Sequence, residues 1–151
     1  MKSLTICNQL EEFNRIFKET DATYSKLAKR SNLSDCSFWI MYSIRETDRQ
    51  ITQRELCEQW TMSKQTINSA LKVLENKGYI TLNYSDADKR SKYIILTEKG
   101  EEFARENVDI VFDMERAAFE KLSEQERAVM LSASRKFQEH LLIEVEKLNH
   151  K

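Results

Sequence analysis

Ser63, Lys64, Gln65, Thr66, Asn68, Ser69 and Lys72 form a polar set with no carboxylate among them. At helical spacing they take the side opposite Ile67, Ala70, Leu71 and Leu74. Their chemistry is hydrogen bonding by amide, hydroxyl and ammonium groups. The Gln65 and Asn68 amides suit base edges, and the lysines suit phosphate. A plain polar outer face is the alternative, but the chain holds 25 Asp and Glu in 151 residues, so an acid-free solvated face of this length calls for a reason. A second basic group follows at Lys89, Arg90 and Lys92.

Other chemistry is weakly represented. No GxSxG, HExxH or informative Cys/His spacing is present, so no catalytic residue is assigned. His140 and Glu144 share a helix face at i, i+4, but no second histidine is near, and neither a metal nor a cofactor is expected. Gly78 and Gly100 are the only glycines and lie too far apart for a phosphate cradle. Cys7, Cys36 and Cys57 show no metal-ligand or CxxC spacing. Cys36 falls in the first turn of a helix, where a lowered thiol pKa is one reading; Cys57 reads as a small hydrophobe, and inert thiols are the expectation.

The elements that must position the polar set are marked by caps and periods. A first helix runs from roughly Leu4 to Arg30, with Leu10, Phe13, Phe17, Tyr24 and Leu27 in one stripe. Ser34 caps a second, through about Thr47. Thr52-Gln-Arg-Glu55 is a capping box opening a short helix that ends near Trp60. Ser63 caps the next, and Gly78 stops it after Lys77. The period then changes to about 2, predicting a hairpin of Tyr79–Tyr84 and Lys92–Thr97 around a Ser85–Ser91 tip. Thr97 caps one long helix to about Lys121, with Phe103, Ile110, Met114, Ala117 and Ala118 on one side. A second box, Ser123-Glu-Gln-Glu126, opens a last helix with Met130, Ala133, Phe137, Leu141, Val145 and Leu148 in a stripe.

Two helices joined by a short turn at Trp60-Thr61-Met62, then a hairpin, read as a winged helix-turn-helix. The second helix would enter the major groove. Charge agrees: residues 60–99 carry a net +3 within a chain of net −1, and residues 100–151 carry −4. That concentrates the positive charge in the middle segment. The N-terminal MKSLTICNQLEEF has no run suited to a signal peptide, and no stretch reaches spanning length. A cytoplasmic protein with free thiols and no membrane partner is expected. The long stripe of the last helix exceeds what a small winged domain covers, so a homodimer is expected.

In element order essentially the whole chain, and most strongly residues 62–80 and 88–100, resembles the MarR (multiple antibiotic resistance regulator) family. Leu74-Glu75-x-x-Gly78, Asp88-x-Arg90 and Leu96-Thr97-x-x-Gly100 carry the resemblance. It implies one MarR-like domain over 1–151, mostly α with a small β-hairpin wing. Residues about 34–97 would be the winged part, and about 4–30 and 98–148 would be dimerisation helices. It also implies a homodimer on a pseudo-palindromic operator, with Ser63, Lys64, Gln65, Thr66, Asn68 and Ser69 facing the major groove. Arg90 would enter the minor groove with Asp88 orienting its guanidinium. A repressor released by a small aromatic effector is the expected role. The chain departs from the family at Ser69 and Leu82, where many members have Arg, and in lacking a wing Pro.

Phe13, Phe17, Phe38, Trp39, Tyr42 and Trp60 are expected walls of an effector crevice, each of them also a candidate for ordinary core packing. Competing readings are a winged-helix module binding protein, a thiol-based redox sensor and a small helical enzyme.

Overall fold

The computed structural model describes residues 5–47, 49–60, 62–84 and 92–149. They form two compact units, Met1–Val111 and Phe112–Lys151. The first holds α1 (Ile6–Arg30), α2 (Asp35–Glu46), β1 (Ile51–Thr52), α3 (Gln53–Trp60), α4 (Lys64–Asn76), β2 (Ile80–Tyr84), β3 (Lys92–Leu96) and α5 (Glu98–Asn107). The division falls inside α6 (Asp109–Glu120), and α7 (Glu124–Asn149) completes the second unit. The mostly helical chain with a small antiparallel sheet is the fold class expected from the sequence.

The caps work as their spacing implies. Thr5, Ser34, Ser63 and Thr97 each accept from the backbone amide three residues on, satisfying a donor the helix cannot. Both capping boxes close reciprocally. The Thr52 amide donates to Glu55 Oε2 at 2.7 Å, and the Glu55 amide to Thr52 Oγ1 at 3.2 Å. Ser123 and Glu126 do the same at 2.8 and 3.2 Å. The carboxylates of Glu55 and Glu126 are held below the usual range, chiefly by hydrogen bonds from Thr52 and Ser123.

α4 ends in a Schellman arrangement. Gly78 sits at φ 75°, its amide donating to Glu75 O at 2.9 Å and the Tyr79 amide to Leu74 O at 3.0 Å.

β2 and β3 pair antiparallel with Ile80 opposite Leu96 and Tyr84 opposite Lys92. A third strand is an addition to the sequence reading. β1 pairs with β3 through Ile51–Ile94 and Thr52–Tyr93, giving the order β1-β3-β2. Two residues are too short to show a period, and Thr52 also serves as a helix cap.

The core of the first unit joins Phe38, Ile40 and Met41 of α2 to Leu56, Ile67, Leu71 and Leu74 of the next two helices. Ile80 and Ile94 of the sheet and Val108 and Val111 further on complete it, all essentially without exposed surface. Each such side chain contributes about 1.5–3 kcal/mol relative to exposure.

The single long helix expected from Thr97 to Lys121 is two helices, meeting at Val108. Val108 keeps its bond to Ala104 at 2.7 Å, but the Val111 amide closes on Val108 O at i−3 and 2.8 Å, tightening the chain. The Asn107 amide bonds back to Phe103 O at 3.0 Å, competing with the helix ladder. Ala104, Val108 and Val111 are the buried residues here, whereas Ile110, Met114, Ala117 and Ala118 are exposed. Apolar periodicity runs through the junction and so conceals it.

The second unit is described on its own. Met130, Phe137, Leu141, Val145 and Leu148 of α7 are all exposed in the single chain, as are Val129, Leu131, Leu142 and Ile143.

Candidate nucleic-acid interface

α4 is seated by Ile67, Ala70, Leu71 and Leu74, at most 6% exposed, which turns its other side outward. Ser63, Lys64, Gln65, Thr66, Asn68, Ser69 and Lys72 are all exposed there. The structure thus brings this part of the expected set onto one surface, with the first acid of the helix, Glu75, beyond it.

The side chains differ in how free they are. Ser63 Oγ accepts from the Thr66 amide at 3.1 Å and lies 2.8 Å from Thr66 Oγ1. Ser69 Oγ donates to Gln65 O at 3.0 Å. These hydroxyls serve the helix first. Lys64, Gln65 and Lys72 have no side-chain hydrogen bond or ion pair among the described residues. Asn68 Oδ1 accepts a hydrogen bond from Gln53 Nε2, on the first residue of α3. Gln53 was not singled out from the sequence, because nothing in local spacing connects it with a residue fifteen positions on.

Behind α4 the supports are specific. Thr97 Oγ1 donates to Gly78 O at 2.6 Å and accepts from the Gly100 amide at 3.0 Å, so one hydroxyl joins the end of α4 to the start of α5. Gly100 lies against the Tyr79 backbone, where a Cβ would meet the carbonyl oxygen at 1.9 Å. The spacing Leu96-Thr97-x-x-Gly100 therefore has a steric and a hydrogen-bonding reason. The Lys99 ammonium donates to Lys77 O at 2.7 Å, and Tyr79 stacks on Phe103 with centroids 4.4 Å apart.

At the base of the wing, the Lys92 ammonium sits 5.0 Å from the Tyr84 ring centroid, a cation–π contact. Asp88, Lys89 and Arg90 lie outside the described residues.

The aromatic set is only partly assembled. Trp39 is central, with ring centroids 5.7 Å from Phe38, 5.1 Å from Tyr42 and 5.2 Å from Trp60. Tyr24 joins it at 5.1 Å. Trp60 Nε1 donates to Ser43 Oγ at 2.7 Å, and Ser43 Oγ to Trp39 O at 2.9 Å. Phe38 is fully buried and presents no surface to a ligand, so its part is packing. Phe13 and Phe17 are 45% and 68% exposed on the N-terminal half of α1. The apolar stripe of α1 places Tyr24 on a face without saying which neighbour it meets.

The alternative of a lowered thiol pKa is overturned at Cys36. Burial pushes its pKa up rather than down, and its Sγ donates to Met62 Sδ at 3.5 Å. Cys7 is exposed and Cys57 half-buried. Among the described residues no three His, Cys, Asp or Glu gather to hold a metal, and no helix is long and apolar enough to cross a membrane.

A model of the MarR family matches residues 31–91, a segment that includes α2, α3, α4 and β2. An uncharacterized HTH-type transcriptional regulator of Bacillus cereus is 28% identical over 127 residues, covering 83% of this chain and 84% of its own. Three solved structures share the fold. A MarR family regulator from Neisseria meningitidis aligns at TM-score 0.76 and 20% identity, over 93% of this chain and 98% of its own. Sco3205, a MarR family regulator from Streptomyces coelicolor in complex with DNA, aligns at 0.71 and 21%, over 93% and 91%. Staphylococcus aureus MarR in complex with salicylate and kanamycin aligns at 0.69 and 23%, over 89% and 91%. The chain's segment 31–91 is thus similar to the MarR family, and the fold of MarR family regulators is shared along its length.

Proposed function

We propose that this chain is a homodimeric regulator of transcription that reads double-stranded DNA with α4 and is a repressor released by a small aromatic effector. The observation that carries the reading is the α4 surface. Seven exposed polar residues without an acid stand on a helix whose other side is locked into the core. A helix of this width fits the major groove, and Lys64, Gln65 and Lys72 are free to reach it. The DNA in the Sco3205 structure supports the same role.

In this reading Ser63, Lys64, Gln65, Thr66, Asn68, Ser69 and Lys72 meet the operator. Asp88, Lys89, Arg90 and Lys92 form the wing contact, with Arg90 in the minor groove. Residues about 34–97 are the DNA-binding part, and about 4–30 and 98–148 join two copies. The exposed apolar residues of α1 and of α7 support the dimer, because a soluble chain rarely leaves so much apolar helix surface uncovered. The salicylate bound to the S. aureus relative supports an aromatic effector. Trp39, Tyr42 and Trp60, each partly exposed, are the walls it would meet.

The test is to select bound duplexes from a random pool with purified protein. A two-fold consensus with half-sites about one helical turn apart, roughly 10 bp, is expected. A protein that sediments as a monomer at micromolar concentration, or a consensus without two-fold symmetry, overturns the dimeric reading. Release is tested by titrating salicylate into the complex, with binding and dissociation followed separately.

A further inference from the structure

We propose that Gln53 is a positioning residue for base readout, holding the Asn68 amide in the one orientation that pairs with adenine. The inference rests on the DNA-reading role of α4 and adds to it a residue on a different helix.

Two rigid elements carry the pair. Gln53 opens α3 directly after Thr52, whose backbone is held by the capping box with Glu55 and by pairing with Tyr93 on β3. Asn68 stands on α4 beside Ile67, which is fully buried. The bond from Gln53 Nε2 to Asn68 Oδ1 therefore joins two backbones that are fixed independently.

The chemistry follows from the amide. An Asn side chain carries its acceptor and its donor on different atoms, so a half-turn of the terminal amide exchanges them. In the orientation the structure shows, Gln53 Nε2 donates to Oδ1, which turns Oδ1 toward α3 and leaves both Nδ2 hydrogens outward. Oδ1 keeps a second lone pair. Adenine presents N7 as acceptor and its N6 amine as donor in the major groove. Nδ2 then donates to N7 while Oδ1 accepts from N6, with no amide rotation to be lost on binding. Without Gln53 no contact among the described residues holds this orientation, and the flipped amide would set donor against donor at N6.

The experiment measures dissociation constants on the selected duplex and on duplexes changed at the position that Asn68→Ala relaxes. The reading is the ratio of the two, which cancels any uniform change in affinity. Asn68→Ala lowers this ratio by about 5- to 150-fold, the range of a bidentate amide–adenine pair. Gln53→Ala lowers it by about 2- to 10-fold, the worth of one net hydrogen bond. It leaves non-specific affinity and Tm near wild type. Gln53→Glu replaces the donor by an acceptor and lowers the ratio at least as far, although a carboxylate at this first helical position favours the helix itself. In the Asn68→Ala background, Gln53→Ala has no further effect on the ratio.

A wild-type ratio in Gln53→Ala, or an equal loss with and without Asn68, overturns the proposal. A consensus that Asn68→Ala does not relax also overturns it while leaving DNA reading intact. Failure of the wild-type protein to select any duplex overturns the DNA reading itself.

Discussion

Arg45 near the end of α2 holds Asp109, the first residue of α6, with two nitrogens: Nε at 2.7 Å from Oδ1 and Nη2 at 2.8 Å from Oδ2. Its Nη1 meets Glu101 of α5 at 2.8 Å. One guanidinium thus spans the helix junction at Val108 and ties both sides of it to α2. Hydrogen bonding from Arg45 is the main reason the Asp109 carboxyl is held below its usual pKa, against a smaller opposing effect of burial.

Arg45→Met and Asp109→Asn are each expected to cost about 1–2 kcal/mol, the low part of the range for charged hydrogen bonds, because water still screens the pair. The carboxyl is depressed in the folded state, so its contribution is complete above the unfolded value of about 3.9 and disappears as pH falls through the folded one. Urea unfolding of wild type and Asp109→Asn at pH 7 and pH 3 checks this. The stability gap should be narrower at the lower pH.

Ser63 has two candidate duties, a cap and a groove contact. Ser63→Ala should lose about 1 kcal/mol of stability through the cap alone. Ser63→Asp caps equally well but sets a carboxylate against phosphate. It should therefore restore Tm while weakening duplex binding. Recovery of both would assign Ser63 to the helix only.

Gly100→Ala should destabilise far more than its position in a first helical turn suggests. The added methyl meets the Tyr79 carbonyl carbon at 2.8 Å and its oxygen closer still, and backbone on both sides cannot yield cheaply. A loss of about 3 kcal/mol or more is expected. Gly78→Ala, which meets only Lys99 Cδ at an ordinary 3.9 Å but has a left-handed φ, should cost about 1–2 kcal/mol. Thermal unfolding of the two variants orders them.

Cys36 should be slow to alkylate at neutral pH, since burial raises its pKa and the thiolate is the nucleophile. Exposed Cys7 should react first with iodoacetamide, and the Cys36 rate should rise only at pH above the ordinary thiol value of about 8.5. Peptide mapping after timed quenching gives both rates. Preferential modification of Cys36 at pH 7 would revive a thiol-sensing role.

The lysines and the wing should separate in a salt series. Lys64→Ala and Lys72→Ala should each lower the salt slope by about 1 without altering the consensus, as loss of a phosphate contact does. Lys92→Ala should do likewise. Arg90→Ala should weaken operator binding by about 1–3 kcal/mol and reduce the preference for A/T-rich flanks, where a narrow minor groove attracts a guanidinium. Asp88→Ala should show a smaller loss of the same kind, because it leaves the charge in place.

What the sequence determined by itself is what neighbours three or four residues apart can decide. Ser34, Ser63 and Thr97 cap amides three positions on, the Thr52–Glu55 and Ser123–Glu126 boxes close within one turn, and Gly78 stops α4 through bonds to Glu75 and Leu74. The buried and exposed sides of α4 follow from a period of 3.6 in the same way. Only tertiary structure decided the rest. β1 exists because Ile51 and Thr52 find β3 some forty residues away, and α5 and α6 part where Arg45 draws Asp109 from across the fold. Gly100 is required by a carbonyl on Tyr79, Trp39 chooses Tyr24 from the stripe of α1, and Asn68 is oriented by Gln53. Each of these depends on where two separately stable elements come to rest against a common core. Local spacing carries no information on that, because the partners become neighbours only once the core has packed.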